Sequence, residues 1–151
     1  DPSMQQEFAQ IRLQILSQQR DNHKLKVDVT EMRAKMRNHL NRAETGQFDL
    51  KQSPGGMVDI EFIAQYLVLA NAYQFPELLT QWSDNLRIFT ACQQVGLLTA
   101  KQTSELIDAY CHIRDAGHRL SLGKKKRITK STRFIEEQNA VTAIWEQLFS
   151  D

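Results

Sequence analysis

The stretch Phe48-Asp-Leu-Lys-Gln-Ser-Pro-Gly-Gly-Met-Val-Asp-Ile-Glu-Phe62 gathers the residue types best able to do chemistry in this chain. A short extended piece, a glycine turn and a helix start, in that order, can form an anion site. The amides of Gly55, Gly56 and Met57 would then face a phosphate, with Lys51 beside it. The glycine spacing matches neither a Walker loop nor a dinucleotide fingerprint. The competing reading is mechanical: two glycines let the backbone turn sharply into a buried helix.

Asp59 and Glu61 pose a second question, since an Asp-x-Glu pair could hold the metal that nucleotidyl transfer uses. On a helix, residues two apart diverge by about 200°, so the pair cannot share one ion. A strand would allow it, but the apolar run from Ile60 to Leu69 is too long for one. No residue is therefore assigned as catalytic or as a metal ligand. Asp59 reads as a first-turn acid favoured by the helix dipole. Glu61, set in an apolar helix, is expected to pair with a buried cation, and the second helix offers Arg33 and Arg37. Asp59, Glu61, Arg33 and Arg37 are thus expected to be structural.

Asp108, His112 and Asp115 lie at i, i+4 and i+7, a spacing zinc can use. Their face is opposite the apolar stripe of the same helix, and Arg119 continues it, so a solvated, ion-paired surface is expected. His23, His39 and His118 form no constellation, and no serine or cysteine has a nucleophile's partner. The run Gly123 to Arg133 holds six cations. It could meet phosphate or an acidic protein surface, but it lacks the interleaved aromatics of single-strand binders. A solvated loop is expected.

The elements positioning these groups are helical. At 151 residues, 41% hydrophobic and 25% charged, the sequence suits one domain, 1–151, with a core of its own. With 19 basic against 18 acidic side chains, the net charge of +1 drives the chain to neither nucleic acid nor membrane. Cys92 and Cys111 fall inside helical patterns and read as free thiols of a reducing cytoplasm. No apolar stretch is long enough to span a bilayer, and no signal segment is seen. The chain starts at Asp1 and is helical by Phe8, as expected of a fragment from a larger protein.

Hydrophobic periodicity predicts an all-α bundle of about six helices with one short extended segment near residues 48–51. The first runs from about Ser3 to Gln19 and presents Phe8, Ile11, Ile15 and Leu16. The second, about Lys24 to Asn41, carries Leu25, Val29, Met32, Met36 and Leu40. The third, Met57 to about Tyr73, is apolar almost all round and belongs at the centre. Ser83 is the expected N-cap of the fourth, which Gly96 closes. Thr99 to Gln102 has capping-box spacing for the fifth, which stops at Gly123. The last, about Phe134 to Phe149, packs Ile135, Val141, Ile144, Trp145 and Leu148.

Several motifs then occur together and in order. Phe48-Asp-Leu-Lys51 followed by Gly55-Gly-Met-Val-Asp-Ile-Glu-Phe62 resembles the signature of the glutamine synthetase adenylyltransferases. Glu31-Met-Arg-Ala-Lys-Met-Arg37 is similar to that family's approach to the signature. Gln65-Tyr-Leu-Val-Leu69 and Trp82-Ser-Asp-Asn-Leu-Arg-Ile88 are similar to its carboxy-terminal half. The resemblance implies a bifunctional enzyme of two homologous halves, each joining a nucleotidyltransferase core to a helical domain. One half transfers AMP from ATP to a tyrosine of glutamine synthetase; the other removes it by phosphorolysis. This chain resembles the helical domain of the adenylylating half. ATP and Mg2+ would serve the intact enzyme, and the partners implied are glutamine synthetase, the PII signal protein and the adjoining nucleotidyltransferase domain. The family's metal-binding Asp-x-Asp element is absent, so the fragment alone is expected to bind no cofactor and transfer no AMP. The PII-uridylylating enzyme carries a related helical domain, which leaves a docking or regulatory module as the alternative.

Overall fold

The computed structural model describes residues 1–123 and 127–150. Among them are seven helices and one pair of strands: α1 (Pro2–Leu16), α2 (Asn22–Leu40), β1 (Gln47–Asp49), α3 (Met57–Asn71), α4 (Pro76–Thr80), α5 (Asn85–Gln94), α6 (Ala100–Leu122), β2 (Ile128–Lys130) and α7 (Ile135–Phe149). The all-α expectation holds. No helix of the described residues is long and apolar enough to cross a membrane.

The helix ends follow local chemistry. Thr99 and Gln102 form the capping box of α6, each side chain bonded to the other's backbone N–H at 3.0 Å. Asp84 rather than Ser83 caps α5, by accepting from the Leu86 amide at 2.9 Å. α1 stops at Leu16, earlier than periodicity indicated. There Arg20 folds back and donates to the carbonyls of Ile15, Leu16 and, across the bundle, Leu69. α4 is an extra turn that the sequence reading did not separate from its surroundings.

α3 is the central helix. Ile60, Ile63, Ala64 and Leu67 are buried, and the helix packs against α2, α4, α5, α6 and α7. Apolar side chains nearly all round are what such a position requires. One edge stays open: Gln65 is exposed, and Phe62 and Leu69 are only partly buried. Three other expectations fail. Phe8, Ile11 and Ile15 of α1 face solvent, as do Met32 and Leu40 of α2, and Ile135 lies on the outer side of α7.

The extended segment sits one residue earlier than read and has a partner. β1 pairs antiparallel with β2, with Phe48 opposite Thr129. β2 lies inside the basic run that was expected to be a loop. The Arg127 carbonyl accepts from the Leu50 amide at 2.9 Å, which ties the run back to the motif. Lys124, Lys125 and Lys126 lie outside the described residues. Asp108, His112 and Asp115 sit on the exposed side of α6. His112 pairs with Glu137 of α7 at 3.1 Å, and the described residues contain no group of three or more His, Cys, Asp or Glu that could hold a metal ion. Both cysteines are free; burial pushes the Cys92 thiol up to about 12, which makes it inert.

Candidate functional site

Two buried carboxylates organise the segment between β1 and α3. Asp49, at the end of β1, is fully buried. Its Oδ1 accepts from the amides of Lys51 and Gln52, at 3.0 and 3.2 Å, and from the Arg127 guanidinium at 3.2 Å. Its own amide donates to the Ser53 hydroxyl at 2.9 Å. A short polar side chain bonding to its own following backbone is how Asp closes a tight turn. This turn is what reverses the chain out of the strand.

The second carboxylate is Asp59, in the first turn of α3. Arg33 reaches it from α2 with an Nε to Oδ1 distance of 2.5 Å, and the Arg37 guanidinium lies at 3.0 and 3.2 Å from its two oxygens. The two terminal nitrogens of Arg33 donate to the side-chain and main-chain oxygens of Gln52, at 2.9 and 2.8 Å. A guanidinium only 1% exposed is therefore bonded by all three of its nitrogens. Arg33 and Arg37 are four apart, so α2 presents both on one face.

The expected anion site is closed by the protein itself. The Gly55 amide donates to Asp59 Oδ2 at 2.8 Å. The Gly56 amide donates to the Ser53 carbonyl and the Met57 amide to the Leu50 carbonyl, both at 2.8 Å. The negative group at this helix N-terminus is Asp59, and none of the three amides expected to face a phosphate is left free to do so. Both glycines are buried and needed for close approach. The mechanical reading of the glycine turn is the one the geometry supports. Of the three positions expected on the nucleotide side, Lys51 alone is exposed, and its ammonium has no hydrogen-bonded partner among the described residues.

The arginine pairing also differs from expectation. Arg33 and Arg37 pair with Asp59, whereas Glu61 receives neither. Helical phase is the reason: Asp59 points toward α2, and Glu61, two residues on, points well away from it. The Glu61 carboxylate is partly buried and has no hydrogen bond or ion pair among the described residues. Burial raises its pKa above 4.5, opposed by the charges of Lys51 and Arg33. The folded protein therefore holds the proton more tightly than the unfolded chain. Ionising Glu61 costs nothing below pH 4.5, and the cost grows as pH rises through the raised folded value. Glu61→Gln is accordingly expected to melt at or above wild type at pH 7, with the difference vanishing near pH 4. A clear drop in melting temperature at pH 7 would mean that the carboxylate has a bonded cation after all.

A family model described as GlnD PII-uridylyltransferase matches residues 23–143. That span contains both carboxylates, both arginines and the whole glycine turn. This chain belongs to that family. Its similar proteins include a bifunctional glutamine synthetase adenylyltransferase/adenylyl-removing enzyme of Psychromonas ingrahamii, 57% identical over 93% of this chain and 15% of the relative. The same-named enzyme of Shewanella oneidensis is 54% identical over 83% of this chain and 13% of its own length. That of Haemophilus ducreyi is 43% identical over 99% and 16%. The chain matches these enzymes as one helical domain and spans less than a fifth of their length. The resemblance read from the motifs is thereby shown, with the uridylylating and adenylylating enzymes sharing the domain.

Proposed function

We propose that this domain braces the nucleotidyltransferase core of a glutamine synthetase adenylyltransferase, in its adenylylating half, and sets Lys51 against the nucleotide bound there. In that enzyme ATP would supply the AMP, Mg2+ held by the adjoining domain would stabilise the phosphates, and a glutamine synthetase tyrosine would accept the AMP. The PII signal protein would regulate it. The supporting observation is the contrast around Lys51. Its backbone amide is locked onto Asp49 and its carbonyl accepts from the Val58 amide at 3.1 Å, yet its ammonium is exposed and makes no hydrogen bond among the described residues. An exposed cation on a rigid turn, whose charge is felt by Glu61 but which no hydrogen bond among the described residues holds, is suited to a neighbour that this domain does not itself contain. Gly55 and Gly56 serve by shaping that turn.

The test is ATP affinity of the full-length enzyme with Lys51→Ala. A hydrogen bond to a charged group is worth about 1.5–3 kcal/mol, so binding should weaken roughly tenfold or more. The melting temperature should stay within a degree or two, because the exposed ammonium makes no hydrogen bond among the described residues and its attraction to Glu61 is screened by solvent. Unchanged ATP affinity would leave the domain a docking or regulatory module with no nucleotide contact.

A further inference from the structure

The helix least explained by the bundle is α1. It buries none of its residues, and it lies outside the span matched by the family model. What holds it is a narrow inner side. Leu16 packs against the core, and Arg12 donates to the carbonyls of Thr80 and Trp82. Four other large apolar side chains point away from that side: Met4 is 68% exposed, Phe8 68%, Ile11 55% and Ile15 53%. Their spacing of four, three and four puts them within an arc of roughly 60°, centred about 140° from Ala9, Leu13 and Leu16 on the inner side. Alternating steps of three and four are the seam that one helix presents to another.

We infer that this outward stripe of α1 is covered in the full-length enzyme by an apolar helix of the same polypeptide, lying outside residues 1–151. The flanks of the stripe decide against a charged partner. Gln5 and Arg12 lie on one side and Glu7 and Gln14 on the other, and Arg12 is already bonded. A helix that rests on a membrane surface carries rows of lysine and arginine on its polar face. Pro2–Leu16 has one arginine and no lysine. The matching surface is therefore an uncharged apolar seam.

Area decides between a second copy and the same chain. Four side chains at these exposures offer on the order of 500 Å2, below the ~800 Å2 per partner of a stable interface. A bimolecular contact of that size is weak. An intramolecular one is helped by the high effective concentration of a tethered segment, and the relatives named above have more than four-fifths of their length outside the matched region. This inference rests on the family assignment for the existence of that further chain, and it is independent of any role for Lys51.

Hydrogen exchange of residues 2–16, compared between the 151-residue chain and the full-length enzyme, tests it. In the short chain, α1 should exchange fast and the protein should remain monomeric at micromolar concentration by light scattering. In the full-length enzyme, α1 protection should rise at least tenfold. The double variant Phe8→Ser, Ile11→Ser should return it to the short-chain rate while α3 stays protected. Equal α1 exchange in the two wild-type proteins would overturn the proposal even if the double variant failed to fold. A concentration-dependent dimer of the short chain with α1 protected would overturn it in favour of a second copy. Loss of ATP affinity on Lys51→Ala bears on neither outcome.

Discussion

Asp59→Ala is expected to destabilise the domain by about 3–5 kcal/mol, the usual cost of leaving one member of a buried ion pair without its partner. Asp59 holds two guanidinium groups and the Gly55 amide. Once it is gone, Arg37 can swing toward solvent because its side chain is 30% exposed. Arg33 cannot, at 1%, and the hydrogen bonds it keeps among the described residues go to Gln52, an uncharged partner. The Gly55 amide is left unmet in the same place. In a domain of this size each kcal/mol lowers the melting temperature by about 2–4 °C, so a drop of roughly 6 °C or more should appear in a thermal melt. Glu61→Gln on the same helix is the internal control, since its carboxylate carries no such load. Equal effects at the two positions would refute the assignment of the arginines to Asp59.

Gly55→Ala is the second large effect expected, at about 2–5 kcal/mol. Two penalties coincide there. The backbone has φ +80°, where a side chain costs about 1–2 kcal/mol. A Cβ would also lie 2.7 Å from both the α-carbon and the carbonyl oxygen of Gln138 in α7. Those are backbone atoms at the start of a helix, so relief requires moving α7, and overpacking of that kind costs about 1–3 kcal/mol. Gly96 provides the comparison: its φ is +81°, and nothing lies within 4 Å of a built Cβ. Gly96→Ala should therefore show the backbone penalty alone. Thermal melts of the two variants that coincide would mean α7 yields at no cost. A Gly55 variant that loses nucleotide binding would report on folding, whereas Lys51→Ala would report on contact.

The elements were legible wherever their determinants are local. The capping box at Thr99 and Gln102, the stops at Gly96 and Gly123, and the glycine turn before α3 all act within a few residues, so the sequence shows them. The central place of α3 was legible too, because a helix apolar on every side has nowhere else to go. The candidate site was half legible. The four polar residues that matter, Asp59, Glu61, Arg33 and Arg37, stand out by type, as does Lys51. Which carboxylate meets the arginines depends on the rotation of α3 against α2, and that is set by packing across the bundle. Asp49 went unsingled because an aspartate between apolar residues gives no sign that Arg127 will reach it from the other end of the chain. β2 was hidden for the same reason: its hydrogen-bonding partners at Gln47–Asp49 lie about eighty residues away, and a three-residue strand has too little pattern of its own. In α1, periodicity identified an apolar stripe through Phe8, Ile11 and Ile15. Only the tertiary structure decided that these residues leave it bare, because a hydrophobic pattern specifies burial without naming the surface that provides it.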